Sequence, residues 1–305
     1  MSKPSAHNSR NTSDIPAMGA RPAELEDWLN ARLYHPLSAR LAAVLSRTPV
    51  TPNMVSVTGG LSVLLAAYLY TREAGLVWPV LGLIVHMAWH VIDGADGDLA
   101  RMTGRASELG EIVDGASDYA SHFILYFAVG FTFGSELFGP ALAPLGGFII
   151  VTAGFARIPQ SAFYETQRRQ YQAWVYGKPW LRASHNGAVR NGVFSISART
   201  YLALSNSLAC GGERVDAVLE ALPPNDQEEA RALIREAMIP LLQRQSVLSS
   251  NYRTLVFGAA MIAGVPALIV VFELIALTVV LILYKRQTSA AIAALINQLS
   301  AIRDR

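Results

Sequence analysis

The chain has 305 residues, 52% of them hydrophobic and only 16% charged, against about 25% charged in an ordinary soluble domain. Lys plus Arg is 25 and Asp plus Glu is 23, so the formal net charge of +2 excludes a nucleic-acid partner held by a basic field. The single cysteine, Cys210, excludes an internal disulfide framework and any multi-cysteine metal site.

Residues 1–21 are rich in Ser, Asn, Pro and Ala without the apolar core of a signal peptide, and predict a disordered tail. From 22 to 48 the period changes. Leu25, Trp28, Leu29, Leu33, Leu37, Leu41 and Leu45 recur three or four apart, opposite Glu24, Asp27, Arg32 and Arg40. The spacing predicts an amphipathic helix in the membrane interface, kinked or split at Pro36; the alternative is a helix packed on its own domain. Pro49 and Pro52 then end one helix and open the next.

Six stretches are apolar enough for about 30 Å of hydrocarbon: residues 53–70, 77–92, 119–133, 144–163, 247–263 and 266–284. Arg32, Arg40 and Arg47 precede the first, and Arg101 and Arg105 separate the second from the third. Arg168, Arg169 and Lys178 follow the fourth, and Lys285 and Arg286 the sixth. On the opposite side Arg72 is the only basic residue, so both termini are expected on the cytoplasmic side. A bacterial inner membrane fits best. The segments are thus 49–164 with spans one to four, a polar, mainly helical cytoplasmic insertion at 165–246, and 247–305 with spans five and six and a C-terminal tail. The expected fold is an all-α integral membrane protein of six spans. Tyr171, Trp174 and Trp180 open the insertion, either as an interfacial aromatic belt or as a cage for a quaternary amine.

Chemistry gathers where the second and third spans meet the cytoplasmic face. On a helix Asp93, Asp96, Gly97, Ala100 and Arg101 share one stripe; Gly110, Asp114 and Asp118 share another, one turn apart. If the two helices pack antiparallel, four acids meet in one small volume. Arg101 neutralises only one of them, and hard oxygen ligands in excess select Mg²⁺, Mn²⁺ or Ca²⁺. A solvated acidic loop is the bland alternative. Gly97, Ala100, Gly104 and Gly110 allow close approach by a ligand or by another helix. His86 and His90 lie one turn apart beside Trp89, where helix packing is the better reading than metal ligation. Arg157 in the fourth span is either a phosphate ligand for an acceptor or an arginine reaching to the surface. Glu273 in the sixth span has no evident role.

The spacing Asp93-x2-Asp96-Gly97-x2-Ala100-Arg101-x8-Gly110-x3-Asp114-x3-Asp118 resembles the complete signature of the CDP-alcohol phosphotransferase (CDP-alcohol phosphatidyltransferase) family, and residues 51–56 are similar to its stretch at the first helix. The resemblance implies a six-helix membrane core and two ions, Mg²⁺ or Mn²⁺, held by Asp93, Asp96, Asp114 and Asp118. It makes Asp118 the general base, and assigns CDP binding to Gly97, Ala100, Arg101, Ser107 and Gly110, joined by Pro52 and Asn53. The insertion at 165–246 departs from the family pattern.

The implied reaction moves a substituted phosphate from a CDP-alcohol to an acceptor alcohol and releases CMP. The favoured donor is CDP-diacylglycerol, with inositol phosphate, glycerol phosphate or serine as acceptor. Head-group transfer from a soluble CDP-alcohol to a lipid hydroxyl is the alternative within the family. Outside it stand a divalent-cation transporter and a non-catalytic scaffold. Membrane lipid is an expected partner, and a homodimer is left open.

Overall fold

A computed structural model describes residues 22–72, 75–178 and 203–305, apart from the side chains at 108, 109, 111 and 112. The expected disordered tail and Trp180 lie outside those residues. The regular structure of the described residues is all helical, with no strand. Four helices are long and apolar enough to cross a membrane: Pro52–Tyr70, Val77–Met102, Pro140–Tyr176 and Ala267–Arg303.

The N-terminal helix stays continuous through Pro36. Residues Asn30–Tyr34 widen into a π-helix, and α1 (His35–Leu45) follows with the proline in its first turn. The wider turn accommodates a ring that would otherwise press on the carbonyl four residues back. The face that packs on the protein is Tyr34, Ser38 and Ala42, with Ser38 Oγ donating to the Val91 carbonyl at 2.9 Å. Trp28, Leu33, Leu37 and Val44 stay exposed.

Local chemistry sets the ends of the next three helices. α2 (Pro52–Tyr70) starts with Thr51, whose Oγ1 accepts from the Met54 amide at 3.4 Å, and with Pro52 at the first helical position. α3 (Val77–Met102) ends in a left-handed Gly104, φ 64°, where the Arg105 and Gly104 amides return to the Ala100 and Arg101 carbonyls. A side chain there would meet the left-handed penalty, so glycine makes the turn. α4 (Glu108–Phe133) opens three residues later, with Ser107 Oγ accepting from the Gly110 amide at 3.1 Å.

A short α5 (Ser135–Phe138) leads into α6 (Ala143–Tyr176). The two long helices touch backbone to backbone: a Cβ on Gly130 would lie 2.8 Å from the Gly147 carbonyl, and Gly134 meets Gly146 likewise. After residues 203–208, α7 (Gly212–Ala221) and α8 (Gln227–Gln245) precede α9 (Ser250–Ile262) and α10 (Ala267–Arg303). Residues Val270–Ala276 of α10 are π-helical.

The expected third and fifth spans correspond to α4 and α9. Neither is among the four. α9 has 13 residues and rises about 20 Å, short of a bilayer core. α4 carries Asp114 and Asp118 within its length.

Exposed apolar side chains form stripes at helical spacing: Val57, Leu61, Leu65 and Tyr68 on α2, Phe123, Phe127 and Phe131 on α4, and Val271, Ile275, Val279 and Ile282 on α10. Stripes this long face hydrocarbon, and with the four apolar helices they mark an integral membrane protein. Inside, Val63, Ala66, Leu125, Val129, Ile150 and Phe257 form the main core. The polar region builds a second core jointly with the last turns of α6 and α10, from Tyr171, Val215, Ile234, Met238, Leu242, Leu295 and Leu299. It therefore packs on both flanking segments rather than standing apart.

Candidate active site

The helices that carry the acids do not simply pack on one another. α2 wedges between them and packs extensively on both α3 and α4, which meet each other far less. Small residues make the wedge possible. Gly60 of α2 lies against Ser117 of α4, where a Cβ would collide, and Ser117 Oγ donates to the Ser56 carbonyl at 3.2 Å. Where close packing of α3 on α4 was the expectation, α2 mediates most of the contact between them.

The acids nevertheless converge. Asp96 is buried, accepts from Ser56 Oγ at 2.5 Å and hydrogen-bonds the Asp114 carboxyl. Asp93 lies within electrostatic reach of Asp96, Asp114 and Asp118, with Arg157 beyond. Asp118 stands one turn before His122, whose ring Nδ1 aligns on the Asp118 main-chain carbonyl at 2.9 Å. The same nitrogen is 2.8 Å from Asp118 Oδ1, which is left buried without an aligned hydrogen bond.

Two observations bear on a metal. Four carboxylates supply the hard oxygen donors that Mg²⁺ or Mn²⁺ takes, and Asp118 Oδ1, buried beside His122 Nδ1, keeps lone pairs for a cation. Among the described residues, no three His, Cys, Asp or Glu side chains stand together as a formed metal-binding group. The donor chemistry fits; in this arrangement Asp96 and Asp114 are engaged with each other.

The residues expected at the CDP group gather at the same end. Asn53 Oδ1 and Ser107 Oγ both lie close to Gly110, 3.5 and 3.2 Å from where its Cβ would be. Pro52 opens α2 beside them. The Arg101 guanidinium folds back over Gly97, with Nη1 3.4 Å from that glycine's Cβ position, and pairs with Asp98. Ala100 is half-buried one residue after Leu99, which belongs to a small core with Ala42, Val55 and Ala95.

Asp93 opens into a cleft of about 660 Å³. Its walls are Trp89, His90, Gly94 and Arg101 of α3, Ser161, Tyr164, Glu165, Arg168 and Gln172 of α6, Lys178, residues 248–251, and Pro22, Leu25, Glu26, Asp27, Asn30 and His35. Arg168 is paired with Glu165 at 3.0 Å. Partial burial, with Arg101 and Arg168 nearby, holds the Lys178 ammonium below the ordinary lysine range. Arg157 does not line the cleft. It is buried behind it, its guanidinium 5.9 Å above the Trp89 ring and Nη2 donating to Ser250 Oγ at 3.3 Å. The cations that reach the cleft are Arg101, Arg168 and Lys178.

Other expectations resolve into packing. His90 stacks on Tyr34 at 4.5 Å and bonds Thr254 Oγ1 at 2.9 Å, while His86 and Trp89 pack on His122. Tyr171 and Trp174 form no amine cage: both are buried in the second core, and Trp174 Nε1 donates to Asp216 at 2.6 Å. The sequence reading missed His122, although it extends the stripe of Gly110, Asp114 and Asp118 by one more turn. It also gave no role to Ser56, which reaches Asp96 from the neighbouring helix.

Comparison with known proteins agrees with this geometry. Residues 49–180 match the CDP-alcohol phosphatidyltransferase family. Over 101 residues the chain is 31% identical to an archaetidylinositol phosphate synthase of Pyrococcus horikoshii, a stretch covering 33% of this chain and 51% of the relative. The chain thus spans about half the length of that relative. The matched segment contains all eight positions of the acidic signature, so residues 49–180 are similar to a CDP-alcohol phosphatidyltransferase domain.

Proposed function

We propose that the protein transfers a phosphatidyl-type group from a CDP-linked lipid, with CDP-diacylglycerol as the fitting donor, to the hydroxyl of a phosphorylated alcohol. One observation carries the reading: Asp93, within electrostatic reach of Asp96, Asp114 and Asp118, opens into a cleft that also receives Arg101, Arg168 and Lys178. An anionic acceptor suits those cations. The name of the archaetidylinositol phosphate synthase supports a polyol phosphate such as inositol phosphate as the acceptor here.

In this reading Asp118 takes the proton from the acceptor hydroxyl. The hydroxyl oxygen attacks the phosphorus next to the lipid alcohol, a new P–O bond forms, the bond to the CMP oxygen breaks, and CMP leaves. Asp93, Asp96, Asp114 and Asp118 would hold the divalent ions, two in number, that the family uses. When bound, those ions supply positive charge to the pyrophosphate and the developing leaving group. Asn53, Ser107 and the exposed backbone at Gly110 orient the CDP moiety, with Pro52, Gly97 and Ala100 leaving room for it. Arg101 turns from Asp98 to a phosphate oxygen. Arg157, held by Trp89 and Ser250, backs the acceptor wall.

The apolar stripe on α4 supports a further crossing beside the four long spans, and six crossings take α9 together with the residues that flank it. The exposed Trp28, Leu33, Leu37 and Val44 support an N-terminal helix lying in the interface. The basic residues at the acidic end support a cytoplasmic active site with both termini on that side, in a bacterial inner membrane.

A product assay tests the transfer. Purified protein in detergent with Mn²⁺ and CDP-diacylglycerol is offered inositol phosphate, glycerol phosphate, serine and inositol, and the lipid product is identified by mass. The phosphorylated acceptors should give product and serine should not. Product only when a soluble CDP-alcohol and a lipid hydroxyl replace these substrates would reverse the assignment of donor and acceptor.

A further inference from the structure

The cleft has a wall that lies outside the family domain. Residues 22–30 run along it, and Glu26, Asp27 and Asn30 line it. Hydrogen bonds fasten this segment to three other helices. Glu24 Oε1 accepts from the Tyr171 hydroxyl at 3.0 Å and from the Tyr176 hydroxyl, both on α6, while Gln243 of α8 donates to the Glu24 carbonyl at 3.3 Å. Asp27 Oδ2 accepts from Asn251 at the start of α9 at 2.8 Å and from Asn30 at 2.9 Å. Glu26 meets His35 at 3.0 Å.

The chemistry of this wall differs from that of the rest of the cleft. α3, α6 and Lys178 contribute cations beside Asp93 and Glu165; among the described residues the N-terminal wall contributes Glu26, Asp27 and Asn30, with Pro22, Leu25 and the imidazole of His35, and no Lys or Arg. Cations receive an anionic group. Carboxylates and amides suit hydroxyls, which donate and accept at once. Hydrocarbon set against them would leave buried polar groups unmatched.

We propose that residues 22–30 are the acceptor-selecting wall of the cleft, fitting a polyhydroxylated acceptor that carries an anionic group. Glu24 is the positioning residue that fixes the wall through Tyr171, Tyr176 and Gln243. This rests on the transfer reading above and deepens it. It also gives the polar insertion a role, since α8 holds the wall from behind. Selectivity for the acceptor then resides beyond residues 49–180.

The test uses the full chain with Mn²⁺ and CDP-diacylglycerol, following initial rates of CMP release against inositol phosphate. Glu24→Ala should raise the acceptor KM about tenfold or more, the scale of a lost charge-assisted hydrogen bond, with the donor KM unchanged and the thermal midpoint lowered by the stranded Tyr171 hydroxyl. Glu24→Gln keeps an acceptor oxygen for the two phenols and should restore most of the affinity. Asn30→Ala should raise the acceptor KM in the same direction. An unchanged acceptor KM in folded Glu24→Ala, or equal change in both KM values, would overturn the wall. Wild-type protein that releases no CMP with any acceptor would overturn the transfer reading itself, an outcome distinct from the first.

Discussion

Two sets of buried charges lie among these helices, and they are built on opposite plans. In the first, Arg253 of α9 pairs with Glu273 of α10, both side chains 2% exposed. Tyr126 donates to Glu273 Oε1 at 3.0 Å, Gln160 to the Glu273 carbonyl at 2.9 Å, and Arg253 to the Leu248 carbonyl at 3.3 Å. The charge sums to zero and the partners come from four helices. In the second, four carboxylates converge from α3 and α4, while Arg101 pairs with Asp98 and Arg157 rests on Trp89 and Ser250. Carboxyl groups outnumber cations there. A balanced buried pair holds helices together; an excess of one sign at a cleft is a place for something of the other sign.

The contrast can be broken by substitution, and the largest effect belongs to the acids. Asp118→Asn should lower turnover by roughly 10²–10⁴-fold, the usual weight of a general base, with the thermal midpoint preserved. CMP release and a thermal melt in detergent check both halves. The balanced set should behave the other way. Arg253→Met alone strands Glu273 and should cost about 3–5 kcal/mol of stability. Adding Glu273→Leu should recover most of it, with turnover per folded molecule close to wild type throughout. A loss of turnover in the stable double variant would move this pair into the site.

Smaller effects sharpen the picture around Asp118. His122→Phe removes the ring nitrogen beside Oδ1, and should lower kcat or Mn²⁺ affinity about 10–100-fold, as outer partners of metal-site carboxylates do. Manganese titration by electron paramagnetic resonance separates the two. The smallest change is expected at the turn joining the two acidic stripes: Gly104→Ala should lower stability by about 1 kcal/mol through its left-handed backbone, with little effect on donor affinity.

The signature acids, the helical fold and the long apolar helices were legible in the sequence because each depends on the pattern along one helix. Asp93 and Asp96, or Asp114 and Asp118, share a face whatever surrounds them. What stayed hidden depends on contacts far apart in the chain. Glu273 had no evident role because its partner, Arg253, lies on the preceding helix and its other donors lie on α4 and α6. Arg157 was either a phosphate ligand or an arginine reaching to the surface by sequence; it is buried, with Nη2 donating to Ser250, 93 residues on. Tyr171 and Trp174 read as a belt or a cage in the sequence, and the packing of α7, α8 and α10 places them in a core instead. The wedge of α2 between α3 and α4 rests on Gly60 meeting Ser117, a contact no periodicity announces.

The most direct measurement is acceptor-dependent CMP release from CDP-diacylglycerol by the purified full chain in Mn²⁺, run beside Asp118→Asn. Release that requires inositol phosphate or glycerol phosphate, and that falls by at least about 10²-fold in the variant, is the expected result. Release that proceeds equally in the variant would contradict the role of the acidic cluster, and no release with any acceptor would contradict the transfer itself.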